Sequence, residues 1–536
     1  MDGRVNGISP VGTQIMRSRR VAVIGAGIGG LVAALELAAR GLDVTVLERG
    51  EAPGGKLRAV NAGGAWVDSG PTVFTLRSVF DEIFAGCGES LDAHLTLRPL
   101  ERLARHAWND SEKLDLFADA ERSADAIGAF AGVAEAAGFR DFCARARRIY
   151  ATLEPRYIRI QRPSLLSLSL DHGPRGLLDV MRISPYTRLW RALGQHFRDQ
   201  RLRQLFGRYA TYSGCSPFQA PATLMLIAHV EQQGVWAVEG GMTRIATALA
   251  GLAAARGARF RYGETVSEIL IESGRAAGVV LASGERIAAD AVLVNADVAA
   301  LAAGLLGADA ARAAPGAHRA PRSMSALTWS LRAGTGGFPL LRHNVFFSDA
   351  YAAEFDDIFR RQRLPASPTV YVCAQDREGG DAVAPGGPER LFCLVNAPSN
   401  GDSHPFSAAE IRQCEERTFR HLKRCGLRVW PCPDSTVATT PETFERMFPG
   451  TGGALYGRTL HHPFASFRRP GARSRIPGLY LAGGSAHPGP GVPMAALSGR
   501  LAASSLLADL PLTSLSRQAG MPGGISTRSA TMGSTG

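Results

Sequence analysis

The sequence predicts an α/β fold with α+β inserts. A discontinuous Rossmann-type nucleotide domain carries an inserted β-rich domain and a helical, arginine-rich region. Three observations predict it. A β-branched run, Val21-Ala-Val-Ile24, passes at once into Gly25-x-Gly27-x-x-Gly30 and then into apolar residues at helical spacing. A second strand, Asp43–Leu47, ends on Glu48. Near the other end of the chain, Gly478-Leu-Tyr-Leu-Ala-Gly-Gly484 repeats the strand-to-glycine passage, and Pro493 opens a helix behind it. Nucleotide signals at both ends imply a domain interrupted by another.

The 536 residues suffice for two or three structural units around a large core. Residues 1–18 lack periodicity and are expected to form a flexible leader. The Ser/Gly/Thr-rich stretch 512–536 is expected to be disordered. Between them, 19–78, 238–300 and 470–511 are assigned to the nucleotide domain. The substrate domain takes 79–140 and 301–469, and the helical region 141–237.

In the first unit each residue type has a physical task. Gly25 permits the tight turn, Gly27 lets the backbone approach a pyrophosphate, and Gly30 lets the helix pack on the strand. Unpaired amides and the dipole at the helix start favour an anion. The Glu48 carboxylate suits a ribose diol. Although 21–39 is apolar enough to suggest a signal or membrane segment, four glycines and Glu36 argue for strand, turn and helix instead. A second flexible stretch with a cation, Gly54-Gly55-Lys56, follows the acid.

Composition excludes other classes. Apolar residues make up 45% and charged residues 20%, as in an ordinary globular protein. The formal net charge of +12 rests almost wholly on arginine, since lysine occurs only at 56, 113 and 423. No helix-turn-helix, zinc-finger or RNP pattern suggests nucleic acid. The eight cysteines form no C-x-x-C pair or metal-spaced cluster, so neither a metal site nor a disulfide framework is expected.

The acid-ended strand with Gly54-Gly55-Lys56 resembles the glutathione-reductase-like flavoproteins of the amine oxidase and phytoene desaturase group. In that group the GG-[RK] segment wraps the diphosphate and flavin side, another strand meets the adenine side, and a C-terminal strand and helix cover the flavin. The resemblance implies FAD held by Gly25, Gly27, Gly29, Gly30, Glu48, Gly54, Gly55 and Lys56, and with no histidine or cysteine placed for a flavin linkage the FAD is expected to be non-covalent. It adds Val266 from the strand–turn–strand stretch 259–269, and Gly483, Gly484, Val492, Pro493 and Met494 from the far end. Lys56 stands where arginine is common; it keeps the charge and loses bidentate geometry.

The stretches TYSGCSPFQAPATLMLIAHVEQQGVWAVEGGM at 211–242, GPTVFT at 70–75, HNVFFSDAYAAEFDDIF at 343–359, PTVYVCAQDR at 368–377 and AGGSAHPGPGVPMA at 482–495 sharpen this. They resemble the carotenoid desaturases, and among them the bacterial 1-hydroxycarotenoid 3,4-desaturases, over about residues 20–510. The implied reaction removes two hydrogens at the 3,4 position of an acyclic 1-hydroxy or 1-methoxy carotenoid, a hydride going to the flavin and a proton leaving. The flavin would be reoxidised by oxygen or a quinone. The cation left behind is allylic, so a strong base is not required. Glu239 and Arg244 are the candidates for polar groups at the flavin face, with a solvated loop as the alternative. Met225, Ile227, His229 and Trp236 are candidates for lining a polyene channel, with plain core packing as the alternative.

Residues 144–214 carry 14 arginines against Glu154, Asp171, Asp179 and Asp199. Trp190, Phe197 and Phe206 recur among them at roughly helical spacing. A basic amphipathic helix of this kind can lie on an anionic membrane. Because a carotenoid must be drawn from lipid, the expected location is cytoplasmic and peripheral on the inner, photosynthetic membrane, those three residues touching lipid. The alternative is a helix packed on the core. Rival readings on this scaffold are a general phytoene-type desaturase or carotenoid isomerase, an amine oxidase, and a non-catalytic lipid escort. The last would have no reason to be yellow.

Overall fold

The computed structural model describes residues 19–161, 186–377, 386–462 and 465–510. The leader, the tail and part of the arginine-rich region lie outside the described residues.

Five parallel strands form the nucleotide sheet, in the order Arg259–Tyr262, Asp43–Glu48, Arg20–Ile24, Ala291–Val294, Leu479–Leu481. Alternation along the first strand decides what covers each face. Val21 and Val23 face the helices Ile28–Ala38, Thr243–Ala255 and Val492–Asp509. Ala22 and Ile24 face an antiparallel meander of Val266–Glu272, Arg275–Leu281 and Arg286–Ala288. The apolar stretch 21–39 thus divides into a strand, a turn and a helix of 11 residues. Among the described residues no helix is long and apolar enough to cross a membrane.

A second, seven-stranded sheet has the order Arg428–Thr439, Ser325–Gly336, Glu389–Ala397, Val370–Ala374, His343–Phe346, Arg102–Ala107, Lys113–Phe117. Its pairs are antiparallel except that His343–Phe346 and Arg102–Ala107 run parallel. Leu391, Cys393 and Val395 pack with the helix Ala408–Arg424. Their neighbours Phe392, Leu394 and Asn396, on the opposite face, form one wall of an internal cavity.

The helical region closes that cavity. Its core gathers Phe139 and Phe142 of the long helix Val133–Leu153 with Leu202, Leu205 and Phe206 of the helix Gln200–Gly207. This corrects the lipid-facing assignment. Phe197 and Phe206 are each 1% exposed, their rings stacked 4.8 Å apart. Trp190 is half-buried against Phe218, with the Arg203 guanidinium 4.8 Å from its ring. The apolar stripe is amphipathic toward the protein's own core, where burying a phenylalanine side chain contributes about 1.5–3 kcal/mol.

Candidate functional site

The glycine loop is built as a cradle. The helix Ile28–Ala38 starts at Gly27 with no side-chain cap and no acidic residue in its first turn, so its amides keep their positive character. The second glycine pair lies against the first: Gly54 N–H donates to Ala26 O at 2.8 Å, and Gly54 bridges Gly27. Gly54 holds φ +130°, and a Cβ there would meet Leu57 O at 2.3 Å. Glu48 clasps the same loop. Its Oε2 accepts from Ala26 N–H at 2.7 Å and its Oε1 from Gly50 N–H at 2.8 Å.

The C-terminal segment meets this cradle through Asn295, the residue after the fourth sheet strand. A Cβ on Gly27 would come 2.6 Å from Asn295 Nδ2. One on Gly29 would come 2.6 Å from Asn295 Oδ1 and 2.8 Å from Gly483 N. The helix Val492–Asp509 also starts uncapped, with Pro493 in its first turn, and packs so tightly on Ile28–Ala38 that a Cβ at Gly499 would meet Gly29 O at 2.3 Å. Two helix N-termini therefore converge on one space. Lys56 lines that space, donating from Nζ to Leu455 O at 2.8 Å. Burial holds its ammonium below the usual lysine range, the Asp297 carboxylate pulling the other way. Arg469, 6% exposed, donates to the carbonyls of Gly484, Tyr456 and Arg458. Collision-limited glycines, bare amides and two cations suit a dinucleotide diphosphate with a planar ring system beyond it.

The cavity has a volume of about 1020 Å³ and is continuous from this cradle into an apolar interior. Its inner wall includes Leu153, Tyr157, Ile158, Ile227, Val230 and Leu394. One group of polar side chains on the wall is held together by hydrogen bonds. Arg208 Nη1 donates to Tyr212 Oη at 2.9 Å, and Tyr209 Oη donates to Glu231 Oε2 at 2.8 Å. Burial pushes the Glu231 carboxyl upward, while the Tyr209 bond and the Arg208 charge pull it back. The Tyr371 hydroxyl sits 2.7 Å from both Thr72 Oγ1 and His343 Nδ1. Burial lowers His343 to about 3, so its ring stays neutral. Across the cavity, Thr328 Oγ1 is buried with no hydrogen-bond partner among the described residues.

Of the residues singled out from sequence, Gly25, Gly27, Gly29, Glu48, Gly54, Gly55, Lys56, Val266, Gly483, Gly484, Val492, Pro493 and Met494 line this cavity, and so does Ile227. Gly30 does not. It stands behind the loop, where a Cβ would strike Gly25 O at 2.1 Å, so its task is packing. Glu239 and Arg244 are also corrected. Both are exposed and outside the cavity, and Glu239 pairs with Arg98 at 3.0 Å on the surface. The adjoining Gly240-Gly241 turn instead receives Asp68, whose Oδ2 accepts from Met242 N–H at 2.8 Å before the helix Thr243–Ala255. Met225 is fully buried in the helical core, outside the cavity lining. His229 lies beside Tyr150 and Trp236 against Phe74; neither reaches the cavity. Sequence reasoning missed Asn295, Arg208, Tyr212, Tyr371 and Arg469. The signal for Tyr212 and Tyr371 was present, since both lie in the distinctive stretches 211–242 and 368–377.

Residues 28–507 match the family of flavin-containing amine oxidoreductases. The chain is 57% identical over 519 residues to hydroxyneurosporene desaturase of Rubrivivax gelatinosus, covering 97% of this chain and 99% of that protein. It is 48% identical over 496 residues to hydroxyneurosporene desaturase of Cereibacter sphaeroides, covering 92% and 98%. An oxidoreductase from Methanosarcina mazei shares the fold, with a TM-score of 0.58 at 19% identity over 91% of this chain and 100% of that one.

Proposed function

The chain belongs to the flavin-containing amine oxidoreductases and, among them, to the carotenoid desaturases, and from that premise we propose that it forms the 3,4 double bond of acyclic 1-hydroxy or 1-methoxy carotenoids. One observation carries the reading: the cradle that fits a dinucleotide and the apolar interior that fits a polyene are one continuous cavity of about 1020 Å³. FAD is the cofactor of this family and, when bound, supplies the acceptor for a hydride. Glu48 and the two helix N-termini would hold its ribose and diphosphate, and Gly483 to Met494 would cover its ring.

The rest of the chemistry falls to the cavity wall. Leu153, Ile158, Ile227, Val230 and Leu394 exclude water and leave a long polyene few orientations, which positions one carbon–carbon bond. The proton lost comes from a carbon next to an allylic cation, so a weak acceptor suffices.

Tyr186 is 69% exposed and also lines the cavity, which supports an opening beside Thr187 and Arg188. An opening with an aromatic rim and a basic flank suits an enzyme resting on the cytoplasmic face of the inner membrane and drawing its substrate from lipid. Reoxidation by oxygen or a membrane quinone fits that position.

The test is anaerobic incubation of the yellow protein with a panel of acyclic carotenoids. Flavin bleaching should accompany a red shift of the polyene absorbance for 1-hydroxylated substrates. Bleaching without preference for them would move the reading to a general phytoene-type desaturase.

A further inference from the structure

The polar cluster around Arg208 belongs to none of the glycine loops or helix N-termini of the cradle, and it stands beside the apolar wall of Ile227 and Val230. Arg208, Tyr212, Glu231, Tyr371 and Thr72 all line the cavity. Glu231 shares its helix, Leu226–Gln232, with Ile227 and Val230 of the apolar wall. The Arg208 guanidinium lies 5.0 Å from the Tyr212 ring and 5.4 Å from the Tyr371 ring. It spends one N–H on Tyr212 Oη, and no carboxylate of the described residues makes an ion pair with it. A guanidinium has five N–H donors, and desolvated donors without acceptors are destabilising. Arg208 lines the cavity and a smaller pocket beside it, so donors it does not spend on Tyr212 are within reach of what occupies the cavity.

The geometry points to this cluster as the subsite for the oxygen-bearing end of the substrate, with Arg208 donating to a tertiary alcohol or ether oxygen. The inference rests on the desaturase reading above and deepens it. Charge favours a neutral oxygen over a carboxylate or phosphate, because Glu231 already faces Arg208 with opposite sign. An alcohol can also donate, and the Glu231 carboxylate and the Tyr371 oxygen are the acceptors at hand. An ether oxygen can only accept, and Arg208 has the most donors in the cluster to offer it. His343 behind Tyr371, and Thr72 beside it, fix where the phenol hydroxyl points. A hydrocarbon end would strand the guanidinium donors, so the site discriminates by the group it leaves unpaired.

The experiment is a competition between a 1-hydroxylated polyene and its deoxy counterpart, with kcat/KM measured for each in the flavin-loaded wild type, Arg208→Gln and Arg208→Lys. Wild type should favour the hydroxylated substrate by about tenfold to a hundredfold. Arg208→Gln should bring that ratio to within about threefold of unity, both by weakening use of the hydroxylated substrate and by relieving the cost of a stranded guanidinium with the deoxy one. Arg208→Lys keeps a charge opposite Glu231 and so guards against misfolding; it should lose part of the preference, because lysine cannot reproduce the planar fork. A purely structural Arg208 would lower both rates together and leave the ratio alone. A wild-type ratio in Arg208→Lys, or in a folded yellow Arg208→Gln, overturns the inference and leaves the desaturase reading standing. A wild type that shows no preference overturns the reading of the oxygenated end itself, and the inference with it.

Discussion

Removing the Glu48 carboxylate should loosen both the loop and the nucleotide, and the two effects can be separated. Glu48→Ala deletes two charge-assisted hydrogen bonds, from Ala26 N–H at 2.7 Å and Gly50 N–H at 2.8 Å. Each is worth about 1.5–3 kcal/mol at most. Glu48 is only half-buried, so solvent replaces part of the Gly50 bond. Ala26 is completely buried, and its amide loses its acceptor outright. The protein without flavin should therefore lose about 2–3 kcal/mol of stability in urea. The nucleotide additionally loses its ribose partner, so the Kd for FAD should rise about tenfold to a hundredfold in a fluorescence titration. Glu48→Gln makes the argument sharper: an amide can accept from one N–H but turns its own donors toward the other, so it should rescue at most half of the loss. An alanine variant with wild-type stability and Kd would refute the clasp and the ribose site together. Normal affinity with reduced stability would refute only the second.

Phe197→Ser and Phe206→Ser should each destabilise the protein by roughly 3–5 kcal/mol in chemical denaturation, because both rings are 1% exposed. Their effects should not add, the rings being stacked at 4.8 Å; full stability with reduced vesicle binding would return them to the surface. Acid should weaken the fold as pH falls below 6.5. Burial holds His106 and His343 at about 3 and His461 and His487 at about 4, below the unfolded value of 6.5. The unfolded chain thus binds more protons below pH 6.5. The contribution of each is complete above that pH and falls by roughly 2 kcal/mol by pH 5. Glu354, raised by burial to about 7, and Glu231 and Asp68, also raised by burial, work in the opposite direction and offset part of this loss. Urea midpoints unchanged between pH 7.5 and 5 would contradict this.

The nucleotide half of the molecule was legible because its code is local. A β-branched run, three glycines and an acid at fixed spacing state what strand, turn and ligand contact each residue serves. The substrate half was not. Arg208, Tyr371 and Asn295 lie on three different supports, a helix end, the second sheet and the first, and only packing brings them to one cavity. The stripe of Trp190, Phe197 and Phe206 was read as lipid-facing because an amphipathic helix has the same periodicity whether its apolar face meets membrane or protein. The Glu239-Gly240-Gly241 turn drew attention as a site for the same kind of reason. Glycines signal a close approach, and here the approaching group is Asp68.

The sheet order bears on how the protein is made. The loop glycines Gly25, Gly27 and Gly30 are synthesised by residue 30, yet the strand and helix that complete the cavity are Leu479–Leu481 and Val492–Asp509. At about 5–20 residues per second, the interval is roughly 20 to 90 s. Throughout it the apolar edge meant for Leu479–Leu481, along Ala291–Val294, has no partner once made. The cradle is therefore complete only after the last strand and helix are made.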